Sequence, residues 1–513
     1  MARLNPTISS HPLPKNPKCH LNMVSMKLQC LSLLKGCASM RALSQIHALI
    51  QISGLHRDGF IVSEVIRFCA LSPSGNVDYA RCVLSCALDL TPLSWNLVIR
   101  GYSCSNKPRE AVLVFHGMRA RGPCPNKFTF PFLLKACSRT QDFEVGRQVQ
   151  AEIVKNGIDS DVYVQNTLIH FYGSCEKILH ARQVFDEMSF RTVVSWTAII
   201  TAYVENLCYD KSLSTFRLMR NWKFEPDQTT MVVLLSTCAE LGNLRNGRLF
   251  HAQVIVSGFA VSDQLGTALV NMYAKCGDID CAYRVFNIMP ERNVWTWSAI
   301  ILGLAQHGLA GEALLLFSHM KQQSVEPNYV TYLGVLSACT HAGLVDSGYR
   351  FFHDMVHVHK IEPMMSHYSA MVDIVSRSGH LEEAYKFITD MPVEADGVVW
   401  RTLLGACAIH DAKNASGVRE KVRKRVLDLE PTRGENYVVV SNMYAELGLW
   451  EEVAKVRKVM KEEGLKKMAG ESSIEVEGLL HRFLCGDDSQ MDYENIYYLL
   501  DVLILHMKCA ASR

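Results

Sequence analysis

Apolar residues in this chain fall at helical spacing in short stretches, each cut off by a polar break. In residues 193–227, Trp196, Ile199, Ile200 and Tyr203 stand at i, i+3, i+4 and i+7, on one face of a helix. A polar stretch from Glu205 to Asp210 interrupts the pattern, and Leu213, Phe216 and Met219 resume it. Pro226 ends the second helix, because proline lacks the amide that helix continuation needs. The spacing predicts a hairpin of two amphipathic helices over these 35 residues.

Residues 228–262 and 263–293 repeat the plan with lengths of 35 and 31, giving a longer period of 101 residues. Trp95, Trp196, Trp297 and Trp400 carry that period, with gaps of 101, 101 and 103 residues. So do the cysteines that close LLKGC, LLKAC, LLSTC and VLSAC, at Cys37, Cys137, Cys238 and Cys339. Ala80, Ala181, Ala282 and Ala384 form a third series. A two-helix hairpin cannot bury its apolar face alone, so neighbours must stack to complete the core. The expected fold is all-α, a right-handed superhelical solenoid of antiparallel helix-turn-helix repeats with an extended concave surface. The Trp, Ile, Phe and Met stripe is then scaffold core rather than a cofactor box.

Composition narrows the functional classes. With 513 residues, 49% hydrophobic and 20% charged, the chain is globular rather than disordered. No apolar run is long enough to cross a membrane, and no membrane partner is expected. A net charge of +2 argues against binding nucleic acid by bulk attraction, but not against reading it in a local groove. The eighteen cysteines include no CxxC; the closest pairs are Cys82 with Cys86 and Cys276 with Cys281. Repeat-locked cysteines pack as small apolar residues and suit a reducing compartment. No acid precedes Asp58, whereas Arg3, Lys15, Lys18, Lys27, Lys35, Arg41 and Arg57 are basic. Residues 1–26 read as an organelle transit peptide, or as a frayed terminus before a basic first repeat.

The hairpins resemble the pentatricopeptide repeat family, specifically its plant type with alternating P, L and S units. The tetratricopeptide repeat fits SWxxxIxxY and the terminal Pro-Asp or Pro-Asn less well. The array spans 27–396: L 27–58, S 59–91, P 92–126, L 127–161, S 162–192, P 193–227, L 228–262, S 263–293, P 294–328, L 329–364 and S 365–396. Residues 397–466 resemble two E motifs, 397–431 and 432–466. Residues 467–513 resemble a degenerate, truncated form of the family's next extension, with Ala469-Gly470 and Ser472-Ser473 where Pro-Gly and Ser-Trp are usual.

The resemblance implies that the fifth and last residues of a unit read one base of single-stranded organellar RNA, with apolar second residues sandwiching it. The pairs are Asn96 with Asn126, Asn166 with Thr192, Thr197 with Asp227, Thr267 with Asn293, Ser298 with Asn328, and Ser369 with Asp396. Thr or Ser with Asn then favours A, Thr or Ser with Asp favours G, and Asn with Asn a pyrimidine. L units carry Pro131, Val232 and Leu333 at position five and should read poorly. The implied target is pyrimidine, any, any, G, any, A, A, any, G, three unread bases, then the edited C. The competing reading is that these polar residues only cap helices.

No catalytic set is evident, and neither a metal nor a cofactor is expected. His380-Leu381-Glu382 matches half of a zinc-deaminase motif, but no CxxC follows. His353-Asp354-Met355-Val356-His357 has Asp where H-E-x-x-H needs Glu. The basic run Arg419, Lys421, Arg423, Lys424 and Arg425 reads as an exposed helix face, with phosphate contact the alternative. The expectation is therefore a non-enzymatic specificity factor for C-to-U editing that recruits a deaminase-bearing partner through residues 397–484. An RNA stability or splicing factor and a protein-binding scaffold are the alternatives. The expected address is an organelle, the mitochondrion slightly favoured over the chloroplast.

Overall fold

The computed structural model describes residues 17–484 apart from 88–90, 122, 411–416, 468–469 and 477–478, together with residues 499 and 502. Two compact units divide the chain, residues 1–237 and 238–513. In the first, helices Gly59–Leu71, Pro92–Cys104, Phe130–Thr140, Val162–Ser174 and Val193–Glu205 lead successive hairpins, each packing on the next. Their trailing partners, from Val77–Cys86 to Tyr209–Asn221, lie against them as a second layer. The second unit has the same two layers, with leading helices Asp263–Lys275, Val294–Gln306, Tyr329–Ala342, Met365–Arg377, Gly397–Ile409 and Gly434–Glu446.

The marker residues are the core. Trp95, Trp196, Trp297 and Trp400 are buried, as are Cys137, Cys238 and Cys339 and the four alanines of the third series. Cys37 is only half-buried. Three of these tryptophans meet an aromatic ring from the hairpin before them. Trp196 lies edge-on to Phe185 and Trp297 to Phe286, both with centroids 4.9 Å apart. Burial pushes the Cys137 thiol up to about 12 and Cys339 up to about 11, as expected of inert packing thiols. Leading helices approach closely where one presents glycine to alanine: a Cβ at Gly303 would lie 2.6 Å from Ala274 Cβ.

Three local findings depart from the sequence expectations. The 36-residue unit 329–364 absorbs its extra residue as a π-helical turn, Asp354–Val358, at the end of helix Val345–His353. The all-α reading missed a β-hairpin, Glu471–Val476 paired antiparallel with Leu479–Leu484, running from Glu471 opposite Leu484 to Val476 opposite Leu479. Its signal in the sequence was weak, since Glu, Ser, Leu, His and Arg outnumber the β-branched and aromatic residues in both runs. The basic run is not one exposed face: Arg419 and Arg423 are buried, and Arg423 stacks 4.4 Å over Tyr444 while bridging Glu420 at 3.1 Å. An aromatic ring from the next hairpin covers the guanidinium, which charge patterning alone cannot reveal.

Helix Pro17–Lys35 runs across the expected boundary at residue 26, while residues 1–16 of the expected transit peptide lie outside the described residues. So does Ala469 of the extension, with most of 485–513. Among the described residues no helix is long and apolar enough to cross a membrane.

Candidate nucleic-acid interface

The last residue of each unit begins the next hairpin, because the backbone there is extended and its side chain can reach the first helical amides. Asn126 accepts from the Phe128 amide at 3.0 Å, Asp227 from Thr230 at 2.8 Å, and Asp396 from Val399 at 3.0 Å. Asn293 accepts from Trp295 and Thr296 at 3.0 and 3.1 Å, Asn328 from Thr331 at 2.9 Å, and Thr192 from Ser195 at 3.3 Å. Five of the six therefore cap helices, and Asn126 instead anchors the turn that leads into helix Phe130–Thr140. Capping does not exhaust them. It uses one oxygen of each side chain, and an Asp keeps its second oxygen, an Asn its amide group.

Position five sits one turn into the leading helix, beside that cap. Asn96 donates through Nδ2 to Asn126 Oδ1 at 3.1 Å. Ser298 is fully buried and bonds Asn328 Oδ1 at 3.0 Å, yet Asn328 Nδ2 is buried without a partner. Thr197 and Thr267 reach their partners Asp227 and Asn293 through an intervening threonine hydroxyl. Asn166 and Thr192 are not bonded to each other, and Asn166 Oδ1 is a second buried atom without a partner. Ser369 does not bond Asp396 but lines a cavity of about 470 Å³ with Leu333, Arg377 and Arg401. Buried polar atoms without partners are uncommon in folded proteins, and here two of them belong to the expected reading residues.

Thr197 and Asp227 line one cavity of about 230 Å³ together with Val194 and Thr229, the second residues of their own unit and the next. A polar pair thus faces the same space as the residues expected above and below a base. Elsewhere position two presents exposed apolar groups, including Phe60, Leu93, Phe128, Tyr163, Trp295 and Val398. In the L units Pro131 is buried, and neither Val232 nor Leu333 can donate or accept through its side chain.

Two positions escaped the sequence reading. Ser63, fifth in unit 59–91, lies 2.7 Å from Ser94, an arrangement the register itself could have pointed to. Arg401, fifth in unit 397–431, is held by Glu430, whose carboxyl that hydrogen bond keeps below the usual carboxylate range. His380 lies 3.2 Å from Glu383, and the rings of His353, which ends its α-helix, and His357, in the π-helical turn, lie 4.4 Å apart. Among the described residues no group of three His, Cys, Asp or Glu side chains could hold a metal ion.

Comparison with known proteins finds the same kind of repeat. A family model described as "PPR repeat family" matches residues 92–139, 191–240 and 292–341. One described as "PPR repeat" matches 166–191, 267–294, 330–357 and 366–394. One described as "E motif" matches 415–475. Pentatricopeptide repeat-containing protein At2g36730 of Arabidopsis thaliana is 53% identical over 486 residues, covering 94% of this chain and 97% of that protein. Pentatricopeptide repeat-containing protein At1g59720 of the same organism, named chloroplastic/mitochondrial, is 39% identical over 490 residues, covering 92% of this chain and 76% of that protein. Among solved structures, the pentatricopeptide repeat protein PPR10 in complex with an 18-nt psaJ RNA element aligns over 88% of each chain. Its identity is 16% and its TM-score 0.44.

Proposed function

The chain belongs to the pentatricopeptide repeat family, and from that membership we propose that it reads single-stranded RNA base by base in a plant organelle and directs C-to-U editing there. The observation that carries the proposal is the cavity where Thr197 and Asp227 meet Val194 and Thr229. A flipped-out base needs a short polar pair at its edge and a surface on each face, and this space offers both. The orphaned Asn328 Nδ2 and Asn166 Oδ1 support the same reading, since a base edge would supply the missing partners.

The deaminase is proposed to arrive on another chain that docks on the region matching the E motif. An organelle address is supported by the acid-free first 57 residues and by relatives named chloroplastic or chloroplastic/mitochondrial. A fluorescent fusion of the full chain distinguishes the mitochondrion, favoured above, from the chloroplast.

Binding of the purified chain to RNAs carrying the implied base order tests the reading. Replacing the A-A step opposite Thr267–Asn293 and Ser298–Asn328 with C-C is expected to weaken binding at least tenfold, about 1.4 kcal/mol. Equal affinity for the two RNAs would overturn the register. Deleting residues 397–513 is expected to abolish editing in a complemented mutant line and to leave RNA affinity in place. Editing that survives the deletion would instead favour the stability or splicing role.

A further inference from the structure

The pairing code leaves out a residue that four of the six reading pairs share: the third residue of the following unit. Thr129 donates to Asn96 Oδ1 at 2.7 Å and lies 3.3 Å from Asn126 Oδ1. Thr230 lies 2.7 Å from Thr197 Oγ1 and donates to Asp227 Oδ1 at 2.7 Å. Thr296 lies 2.7 Å from Thr267 Oγ1 and donates to Asn293 Oδ1 at 3.2 Å. Thr331 lies 2.7 Å from Ser298 Oγ and donates to Asn328 Oδ1 at 3.0 Å. All four threonines are fully buried. In the other two pairs this bridge is absent: Ser195 bonds Thr192 and not Asn166, and Val399 has no hydroxyl to offer Ser369.

We propose that this third residue is a positioning residue for base specificity, a hydroxyl clip that decides which way a Thr or Ser at position five points its proton. The inference rests on the base-reading assignment made above. A hydroxyl has one proton, and the Asp227 carboxylate only accepts, so the Thr230 proton is committed to Asp227. The 2.7 Å contact then draws the Thr197 proton toward Thr230, with Val193 O at 2.9 Å its one competitor. Either way that proton stays inside the protein, and a base meets a lone pair. The same commitment holds at Thr267, whose neighbour Thr296 gives its own proton to Asn293. An unclipped hydroxyl, by contrast, can turn to donate or to accept, so it satisfies two different base edges equally well. Discrimination requires that the wrong edge be left unpaired.

Ser369–Asp396 therefore discriminates less sharply than Thr197–Asp227, although both combine a hydroxyl with a carboxylate. The test measures affinities of the full chain for RNAs with G or A at each of the two assigned bases. In the unaltered protein the G-to-A ratio is expected to be larger opposite Thr197–Asp227. Thr230→Val should lower that ratio about fivefold, the worth of one net hydrogen bond, while Thr230→Ser keeps it. Val399→Thr should raise the ratio opposite Ser369–Asp396 by a similar factor. This second variant adds a hydroxyl and removes no contact of the first unit, so it decides the matter even if Thr230→Val fails to fold. Unchanged ratios in folded Thr230→Val and Val399→Thr proteins that still distinguish G from A would overturn the clip alone. Failure of the unaltered protein to distinguish G from A at either base would overturn base reading itself.

Discussion

Leu207 occupies a backbone conformation that L side chains rarely adopt, with φ of 57°. It stands at the fifteenth position of its unit, where the leading helix turns into the trailing one. Gly277 and Gly308 hold the same position in their units, at φ of 86° and 76°. The turn geometry is therefore common to the repeats, and only some repeats meet it with the residue that tolerates it. Leu207 is 74% exposed, so its side chain contributes little packing in return. Leu207→Gly is expected to stabilise the protein by about 1 kcal/mol, read as a rise in the urea midpoint. At this scale the sequence was informative about residue types: Asn, Asp and Thr at unit ends predicted both caps and readers. It did not separate the two roles, because a side chain that caps with one atom keeps another to offer a base.

The hairpin is the unit in which burial is decided. Trp297 is fully buried against Phe286, and its indole N–H has no partner among the described residues. Trp297→Ala is expected to cost about 3–5 kcal/mol through the lost apolar area and the cavity it leaves. Trp297→Phe should cost less than about 1.5 kcal/mol, since it keeps most of the apolar volume and removes the unsatisfied donor. Chemical denaturation of the two variants checks the order; a costlier phenylalanine would mean that the indole N–H matters after all. Periodicity made these helices readable because the apolar spacing of a helix is written in consecutive residues. The β-hairpin of Glu471–Val476 and Leu479–Leu484 carries no such helical spacing, because its partners are set across two strands. The π-helical turn was announced only by unit length, since the place where an extra residue is absorbed depends on what the neighbouring helices press against it.

For the whole chain, near-neutral charge sets the terms of any RNA complex. With a net charge of +2 there is little long-range attraction to add to the local contacts. Phosphate contacts position a strand and carry no sequence information, whereas base-edge contacts release few counterions. Matched and mismatched RNAs are therefore expected to lose affinity with rising salt along the same log–log slope, separated by a constant ratio. Titrations across a range of salt concentrations measure this, and a slope that steepens for the matched RNA alone would assign its specificity to phosphates. Taken by itself, the sequence determined the repeat period, the buried stripe and the polar character of the fifth and last positions in six of the units. These are local properties, set by helical spacing and by what an N-cap requires. The hydroxyl bridges that join residues 29 to 33 apart, the burial of Arg419 and Arg423, and the cavity shared by Thr197 and Asp227 were decided only by tertiary structure. Each depends on how one leading helix or hairpin seats against the next, and that seating is fixed by side-chain packing rather than by spacing along the chain.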